Sequence, residues 1–484
     1  MAYRRITPAI NGLCLKSNSL ALFKHSGDPR LFALLAFFIS ISAISSFPWP
    51  DDQDGVNFIL GVQRYDLQFH RPHFPGYPVY IMVGKLLHAV TLSPERALVA
   101  LSVISGAACI WLMFVWLKKF YSRDTALLCS TALAVNPVFF EFSHKIFTEI
   151  PAMALLLASL AVLRNPANAS TKRWFVSGAI MGILLGVRLS WWPYPLCYLL
   201  YAIRTGKGLN AWSGFAAGVA LWLLPQADFV GARELVANGL AFTEGHFTKW
   251  GGAIGSETAH QQRLTALALR AGEAVGWIGS GTLWTRVPWA VFTLFGVFMF
   301  LRLRNSKKEV KVFLLATMFY VAWVAVGQNL EKTRHLIPLA PAAILIATPL
   351  IEKHRKTAMA VITALALTLP FDYASRTIDH PPAFGLVQWT GSIDKPNVEL
   401  YCGESERFFD LYPSKSHVVM VTSAQKLADA FKASWPKPSA RFVCDDIPGF
   451  VKPDGPAGAA GEPVAVFPAR KGDPVDQTLS VYEM

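Results

Sequence analysis

The sequence predicts an all-α polytopic membrane protein with a small extracytoplasmic α/β domain at its C-terminal end. Three observations carry that reading: apolar residues fall in long unbroken runs, basic residues recur on alternate sides of those runs, and the pattern changes to strands and a helix after Asp372. Of 484 residues, 53% are hydrophobic and 16% charged, against about 25% charge in an ordinary soluble domain.

The run from Leu31 to Phe47 has no charged side chain, and the run from Ala97 to Leu117 is similar and long enough to cross hydrocarbon. Further runs start near Thr125, Ile150, Trp174, Trp191, Ala211, Val287, Val312, Leu336 and Ala358, giving about eleven spans if each crosses once. Several fall below the roughly 20 residues of a standard span, which fits helices whose outer ends open into a protein-lined aqueous cavity. The leader is long and basic, and Pro48, Trp49 and Pro50 stand where a small-residue cleavage site would follow. The first run therefore reads as a retained span and not as a removed signal.

The formal charge is +13, but its distribution tracks a membrane and points to lipids as surroundings, not to a nucleic-acid partner. Arg4, Arg5, Lys16, Lys24 and Arg30 precede the first run. Clusters follow at Lys118, Lys119 and Arg123, at Arg164, Lys172 and Arg173, at Arg204 and Lys207, between Arg302 and Lys311, and between Lys353 and Lys356. All fall on one side if the spans alternate, whereas the short loops of the other side hold only Lys145, Arg188, Lys332 and Arg334. By the positive-inside rule the N-terminus is cytoplasmic, and an odd number of spans puts the C-terminus outside. The expected location is the cell's inner membrane, crossed several times.

The expected division is a cytoplasmic leader over 1–30, a transmembrane domain over 31–371 with outward loops 49–96 and 225–286, and an extracytoplasmic domain over 372–484. The first loop ends in an amphipathic stretch, Tyr77 to Leu92, whose Lys85 and His88 argue for an interfacial helix and against a crossing. The middle loop has helical segments around Ala232 to Leu240 and Gln261 to Val275. Between them a glycine-rich piece from Gly245 to Gly255, with Glu244, His246, Lys249 and Trp250 nearby, suggests a mobile flap. The C-terminal region reads as strand VELYC at Val398, strand HVVMVTS at His417, a helix from Ser423 and strand ARFVC at Ala440, with AVF and LSVY as edge strands or a tail. Cys14, Cys109, Cys129 and Cys197 show no metal-ligand spacing and read as packing residues. Cys402 and Cys444 share an outward, oxidising region in which a disulfide between them is plausible. The sequon at Asn168 falls on the inner side, where no glycan is expected.

The first loop reads PWPDDQDGVNFILGVQRYDLQFHRPHFPGYPVYIMVGKLL from Pro48, placing Asp51, Asp52 and Asp54 at the outer end of the first span. Acids there also serve as solvated interface residues, and Asp52 or Asp54 can cap a helix beginning near Gly55. The company of His70, Arg71, His73 and Tyr77 in an aromatic, proline-rich stretch favours chemistry.

This loop resembles the first periplasmic loop of polytopic GT-C glycosyltransferases, relatives of protein O-mannosyltransferases and aminoarabinose transferases, and most of all those with HPPGYPLY. Here the stretch is HFPGYPVY from His73, with Phe74 in place of the first proline, and the spacing from Asp54 to Phe58 resembles their acid-to-aromatic spacing. The resemblance covers roughly residues 30–371. It implies transfer of a sugar from a polyprenyl phosphate donor to a lipid, glycan or protein acceptor on the outer face, with a first-loop acid as base. Asp54 is the matching position and Asp52 the other candidate. An ionised Asp within hydrogen-bond reach can take the proton of an acceptor hydroxyl as the C–O bond forms.

The phosphate leaving group needs cations, and Arg334 and Lys332 in EKTRHLIPLAP, Arg188 in GVRLSWWP and Lys145 in SHKIFTE lie on the same side. EKTRHLIPLAP resembles the arginine, aromatic and proline entry to a late span in these transferases, with His335 at the aromatic position. Arg334 can also snorkel at a helix end, and Arg188 with Trp191 and Trp192 can anchor an interfacial belt. Glu149, at the mouth of a short span, resembles their second-loop acid and orients the acceptor, helps hold a divalent cation with the first-loop acids and His144, or caps a helix with Pro151. His73 and Tyr77 join the expected substrate contacts. No zinc spacing appears among His70, His73, His144, His246 and His335, and no cofactor beyond that divalent ion is expected. Two other classes fit a many-span chain: a transporter or flippase of a lipid-linked sugar, which calls for internal repeats and polar residues at mid-membrane, and a non-catalytic assembly subunit that uses its C-terminal domain for contacts.

Overall fold

A computed structural model describes residues 28–163, 169–257, 262–276, 308–374, 380–393, 397–433, 438–447, 449–451, 462–469 and 477–484. The run from Val287, Cys14, Asn168, Arg164 and the basic residues before Asp28 and from Arg302 to Lys307 lie outside them.

Local signals set the helix starts. Asp28 caps α1 (Pro29–Ser45), and Asp52 caps α2 (Gln53–Gln63). Pro78 opens α3 (Pro78–Thr91), and Ser93 caps α4 (Pro94–Leu117). There follow α5 (Arg123–Ala134), α6 (Pro137–Phe142), α7 (Glu149–Leu163), α8 (Thr171–Val187), α9 (Pro193–Arg204) and α10 (Gly208–Val230). Then come α11 (Ala232–Thr248), α12 (Arg263–Ala274), α13 (Lys308–Gly327), α14 (Leu339–Lys353) and α15 (Arg355–Ala374).

This is an integral membrane protein of helical build. Among the described residues, Pro94–Leu117, Lys308–Gly327 and Thr333–Lys353 are long and apolar enough to cross a membrane. α10 and α11 together pass the same test but are bent by 101° at Gly231. α1, α3 and α7 are apolar and shorter. The apolar runs are broken more often than hydropathy alone implies. The run from Thr125 divides at Asn136, which caps α6, and the run from Trp191 is a 3-10 turn (Leu189–Trp191) followed by the 12-residue α9. The glycine at the α10–α11 bend takes φ 92°, outside the range of an ordinary helical residue.

Ion pairs tie the helices together at both ends of the bundle. At one end of the bundle Arg30 pairs with Asp124 (2.9 Å), Arg123 with Asp28 (2.8 Å) and Arg355 with Asp124 (3.8 Å). At the other, the C-terminal ends of α1 and α8 and the starts of α2, α7 and α14 bring together the acids and arginines described below. Between α8 and α10 the approach is close enough to exclude side chains. A Cβ on Gly178 would run into the Ala211 carbonyl, and one on Gly218 would run into that of Ala179. Small residues four apart on both helices let the backbones meet, as in membrane helix pairs generally.

The C-terminal region holds a five-stranded mixed sheet: β1 (Val398–Cys402), β2 (His417–Met420), β3 (Ala440–Cys444), β4 (Ala465–Phe467) and β5 (Leu479–Glu483), in the order β2-β1-β3-β5-β4. β1 runs parallel to β2 and β3, and β5 runs antiparallel to β3 and β4. α16 (Pro382–Ser392) contributes Leu386 to a core on one face, and α17 (Ala424–Ala433) contributes Leu427 to a core on the other. The segment LSVY thus forms an interior strand with Leu479 to Tyr482 buried, while AVF takes the edge. The sulfurs of Cys402 and Cys444 stand 2.7 Å apart on neighbouring strands. The 3-10 turn Glu404–Asp410 follows β1 and packs Phe408 against Trp49, Val56 and Leu60 of the first loop.

Candidate active site

The expectation that Asp52 caps a helix and the expectation that it carries chemistry meet in one side chain. Its Oδ1 accepts the Gly55 N–H (3.0 Å), and its Oδ2 accepts from Arg334 Nη1 (2.6 Å). Asp54, in the first turn of α2, takes the second arm of the same guanidinium through Oδ2. Arg334 lies in the 3-10 turn Thr333–Leu336 just before α14, with 5% of its side chain exposed. Its guanidinium lies over the Phe147 ring at 4.5 Å, and its Nε is 3.6 Å from Glu149 Oε1. A planar fork suits this task, whereas a point charge would bind one acid at a time.

Glu149 opens α7 with no solvent exposure. A carboxylate so placed needs a charged partner, and Arg188, which ends α8, supplies it at 3.0 Å. Arg188 also donates to Thr148 Oγ1 (2.7 Å) and lies 3.0 Å from His335 Nδ1. Since a guanidinium only donates, His335 accepts at Nδ1. Lys332 stands 3.9 Å from Asp54 Oδ2 and 4.0 Å from Asp52 Oδ2 with 37% of its side chain exposed, and so presents charge to solvent.

The HFPGYP turn is built by close contacts. Gly76 has φ 85°, and a Cβ there would run into the Tyr65 hydroxyl. Gln226 of α10 donates to Tyr65 Oη and to the Pro75 carbonyl, both at 2.8 Å. Tyr77 sits in the left-handed region (φ 44°), at a cost on the order of 1–3 kcal/mol. Its hydroxyl lies 2.9 Å from His73 Nε2, and its ring meets Phe58 edge-on at 4.9 Å. His73 faces Asp54 (Nδ1 to Oδ1, 3.7 Å) and stacks on Phe242 of α11 at 5.6 Å. The middle segment therefore covers the turn. Its glycine-rich piece is tied down where a mobile flap was expected: His246 Nε2 lies 2.7 Å from the Gly327 carbonyl, the Ile254 N–H donates to the Val326 carbonyl (2.9 Å), and Arg263 donates to the Gly252 (2.6 Å) and Ala325 carbonyls.

Burial pushes the Asp54 carboxyl up, but Lys332 and Arg334, followed by His73 and Arg188, outweigh it and hold it far below the usual carboxylate range. Burial lowers His73 despite the nearby Asp54, which favours the neutral ring. Burial and Asp54 both raise Tyr77, which stays a phenol able to donate.

Lys145 and Asp51 lie elsewhere. Lys145 pairs with Asp51 (2.9 Å) and with Glu141 four residues earlier (3.3 Å), and all three side chains are at least nine-tenths buried. Lys145 is thus paired with acids of the first loop and of α6. Phe147, Thr148, Gln226 and Phe242 carry no motif of their own. Among the described residues no three His, Cys, Asp or Glu side chains converge as a metal would require. The Arg334 guanidinium stands between Asp52, Asp54 and Glu149 and engages the carboxylate oxygens that a divalent ion would need.

Residues 71–227 match the family described as dolichyl-phosphate-mannose-protein mannosyltransferase. Two solved structures of ArnT from Cupriavidus metallidurans, one in the apo state and one bound to undecaprenyl phosphate, each superpose with a TM-score of 0.55 at 13% identity, covering 93% of this chain and 97% of theirs. The Archaeoglobus fulgidus oligosaccharyltransferase in its apo form gives a TM-score of 0.46 at 10% identity over 87% of this chain and 70% of its own. No curated protein matches by sequence. The fold is that of ArnT. With the family match over residues 71–227, it makes this chain similar to the GT-C glycosyltransferases.

Proposed function

We propose that this protein transfers a hexosyl or pentosyl group from a polyprenyl phosphate donor to a hydroxyl of a lipid, glycan or protein acceptor, with Asp54 as general base. The observation that carries the reading is the fork of Arg334 between Asp52 and Asp54, with Lys332 exposed beside it. An acid that can take a proton and cations that can hold a phosphate are thereby within one contact of each other. The undecaprenyl phosphate named for the ArnT structure of the same fold supports a donor of that class.

In the step itself the acceptor oxygen attacks the anomeric carbon, its proton passes to the Asp54 carboxylate, and the bond from that carbon to the phosphate oxygen breaks to release polyprenyl phosphate. Arg334 and Lys332 stabilise the charge that grows on the departing phosphate. Asp52 holds Arg334 and the start of α2, and Glu149 with Arg188 and His335 holds the second wall, where Tyr77 and His73 contact substrate. The active face lies outside the inner membrane, with the N-terminus cytoplasmic, the helical part over 31–371 and the C-terminal domain over 372–484 extracytoplasmic. The basic clusters on one side of the apolar runs support that orientation.

The test is release of polyprenyl phosphate from a labelled polyprenyl phosphate sugar by membranes containing the wild type, Asp54→Asn or Asp52→Asn. Asp54→Asn is expected to slow transfer by about 10²–10⁴-fold, and Asp52→Asn less, since an asparagine still caps. Full transfer by both variants would end the assignment.

A further inference from the structure

The 3-10 turn after β1 reaches across to the first loop with one side chain. Arg407 Nε donates to Asn57 Oδ1 (2.9 Å), and its Nη2 donates to the carbonyls of Phe69 (2.8 Å) and His70 (3.3 Å). Asn57 is buried and lies three residues after Asp54, on the next turn of α2. Phe69 and His70 lead into the turn that carries His73 and Tyr77. His70 itself has φ 52°, a conformation that a non-glycine residue keeps only when its surroundings hold it. One guanidinium thus joins the helix bearing the acid to the turn that faces it.

The turn that presents Arg407 is itself fixed. Its anchor is Asp446, just after β3, which accepts from the backbone N–H groups of Gly403 (2.8 Å) and Ser405 (2.9 Å). Asp410 holds the remaining arm of Arg407. Trp49, just before the three acids, stacks on Tyr412 at 3.9 Å with 13° between the rings and meets Phe384 edge-on at 4.4 Å.

We infer that Arg407 of the C-terminal domain is a positioning residue for the transfer reaction, setting the distance between Asp54 on α2 and the His73–Tyr77 turn. The inference rests on the transferase reading above. Arginine suits the task because three acceptors on two segments require its fork, which a lysine cannot reproduce.

The experiment uses the full chain in lipid nanodiscs, with hydrogen exchange over residues 66–77 and with kcat and donor KM for a polyprenyl phosphate sugar. Arg407→Ala and Arg407→Lys are both expected to speed exchange in that segment. Both should lower kcat about tenfold, as a modest misplacement of reacting groups does, with donor KM unchanged within about twofold because the phosphate-binding cations are intact. Should Arg407→Ala fail to fold, Arg407→Lys carries the same readouts. Unchanged exchange, unchanged kcat in an active enzyme, or a lysine variant equal to wild type would overturn the inference. A wild type that turns over no such donor defeats the transferase reading and with it the kinetic role, whereas exchange faster only in the variants still establishes that Arg407 holds the loop.

Discussion

Two ion clusters stand side by side at the same end of the helical bundle, and adjacent residues feed them. Asp51 turns to Lys145 and Glu141, where exposures are 5%, 4% and 6%, and Asp52 turns to Arg334, in a cluster whose exposure rises from 0% at Glu149 through 5% at Arg334 to 27% at Asp54 and 37% at Lys332. The ingredients are alike, but the first cluster is closed and the second is graded toward solvent. Burying ions costs several kcal/mol each unless they are paired, so a closed cluster can only build structure. A graded one keeps a fixed inner part and an outer part that a charged ligand can reach.

The largest expected effect breaks the second cluster at its centre. Arg334→Met should lower donor turnover by about 10²–10³-fold, the loss usual when one preorganised charge stabiliser is removed. Arg334→Lys should recover little, because one ammonium cannot serve Asp52 and Asp54 together. Turnover of a labelled polyprenyl phosphate sugar by each variant decides this, and a lysine variant at wild-type rate would show that the fork is dispensable.

The next effect falls on the closed cluster and on a different observable. Lys145→Met leaves Asp51 and Glu141 buried without their ammonium partner, which is expected to cost about 3–5 kcal/mol of stability. Turnover per folded molecule should change little, since no substrate contact is lost. Adding Asp51→Asn and Glu141→Gln should restore much of the stability, because the two carboxylates that faced the ammonium are then neutral. Denaturation in detergent with activity measured on the folded fraction separates the two quantities. If Lys145→Met removes activity from molecules that remain folded, the contrast between the clusters fails.

That contrast was only partly legible in the sequence. Asp54 and Arg334 were each found by the motifs around them, yet nothing in the order of residues says that two of them 280 positions apart share a bond. Lys145 reads as a phosphate-binding cation because its partner Asp51 is 94 residues away, although Glu141 stands four residues earlier. The first C-terminal strands were plain from their short apolar runs, but the interior place of β5 depends on pairing with β3, which hydropathy does not encode. Hydropathy also overlooked the break at Asn136, where capping prevails over apolar character. Arg407 had no signal at all, since its role exists only once two distant segments are packed.

The smallest expected effect sharpens the graded cluster at its outer edge. Asp54's folded pKa is depressed, so its contribution to stability is present above its unfolded value of about 3.9 and is lost as pH falls through the folded value. Besides burial, which opposes ionisation, the groups acting on it are Lys332, Arg334, His73 and Arg188. Lys332→Ala removes one of these, so the folded pKa should rise and the acid limb of turnover should move to higher pH. The displacement should stay under about one pH unit, because Lys332 is partly exposed and solvent and salt screen its field. At neutral pH Asp54 is ionised in both proteins, so stability should differ by no more than about 1 kcal/mol, while affinity for polyprenyl phosphate should fall and its salt dependence weaken. The check is a pH–rate profile of both proteins at two ionic strengths. Superimposable acid limbs would remove Lys332 from the field of Asp54 and leave Arg334 as the cation that sets it.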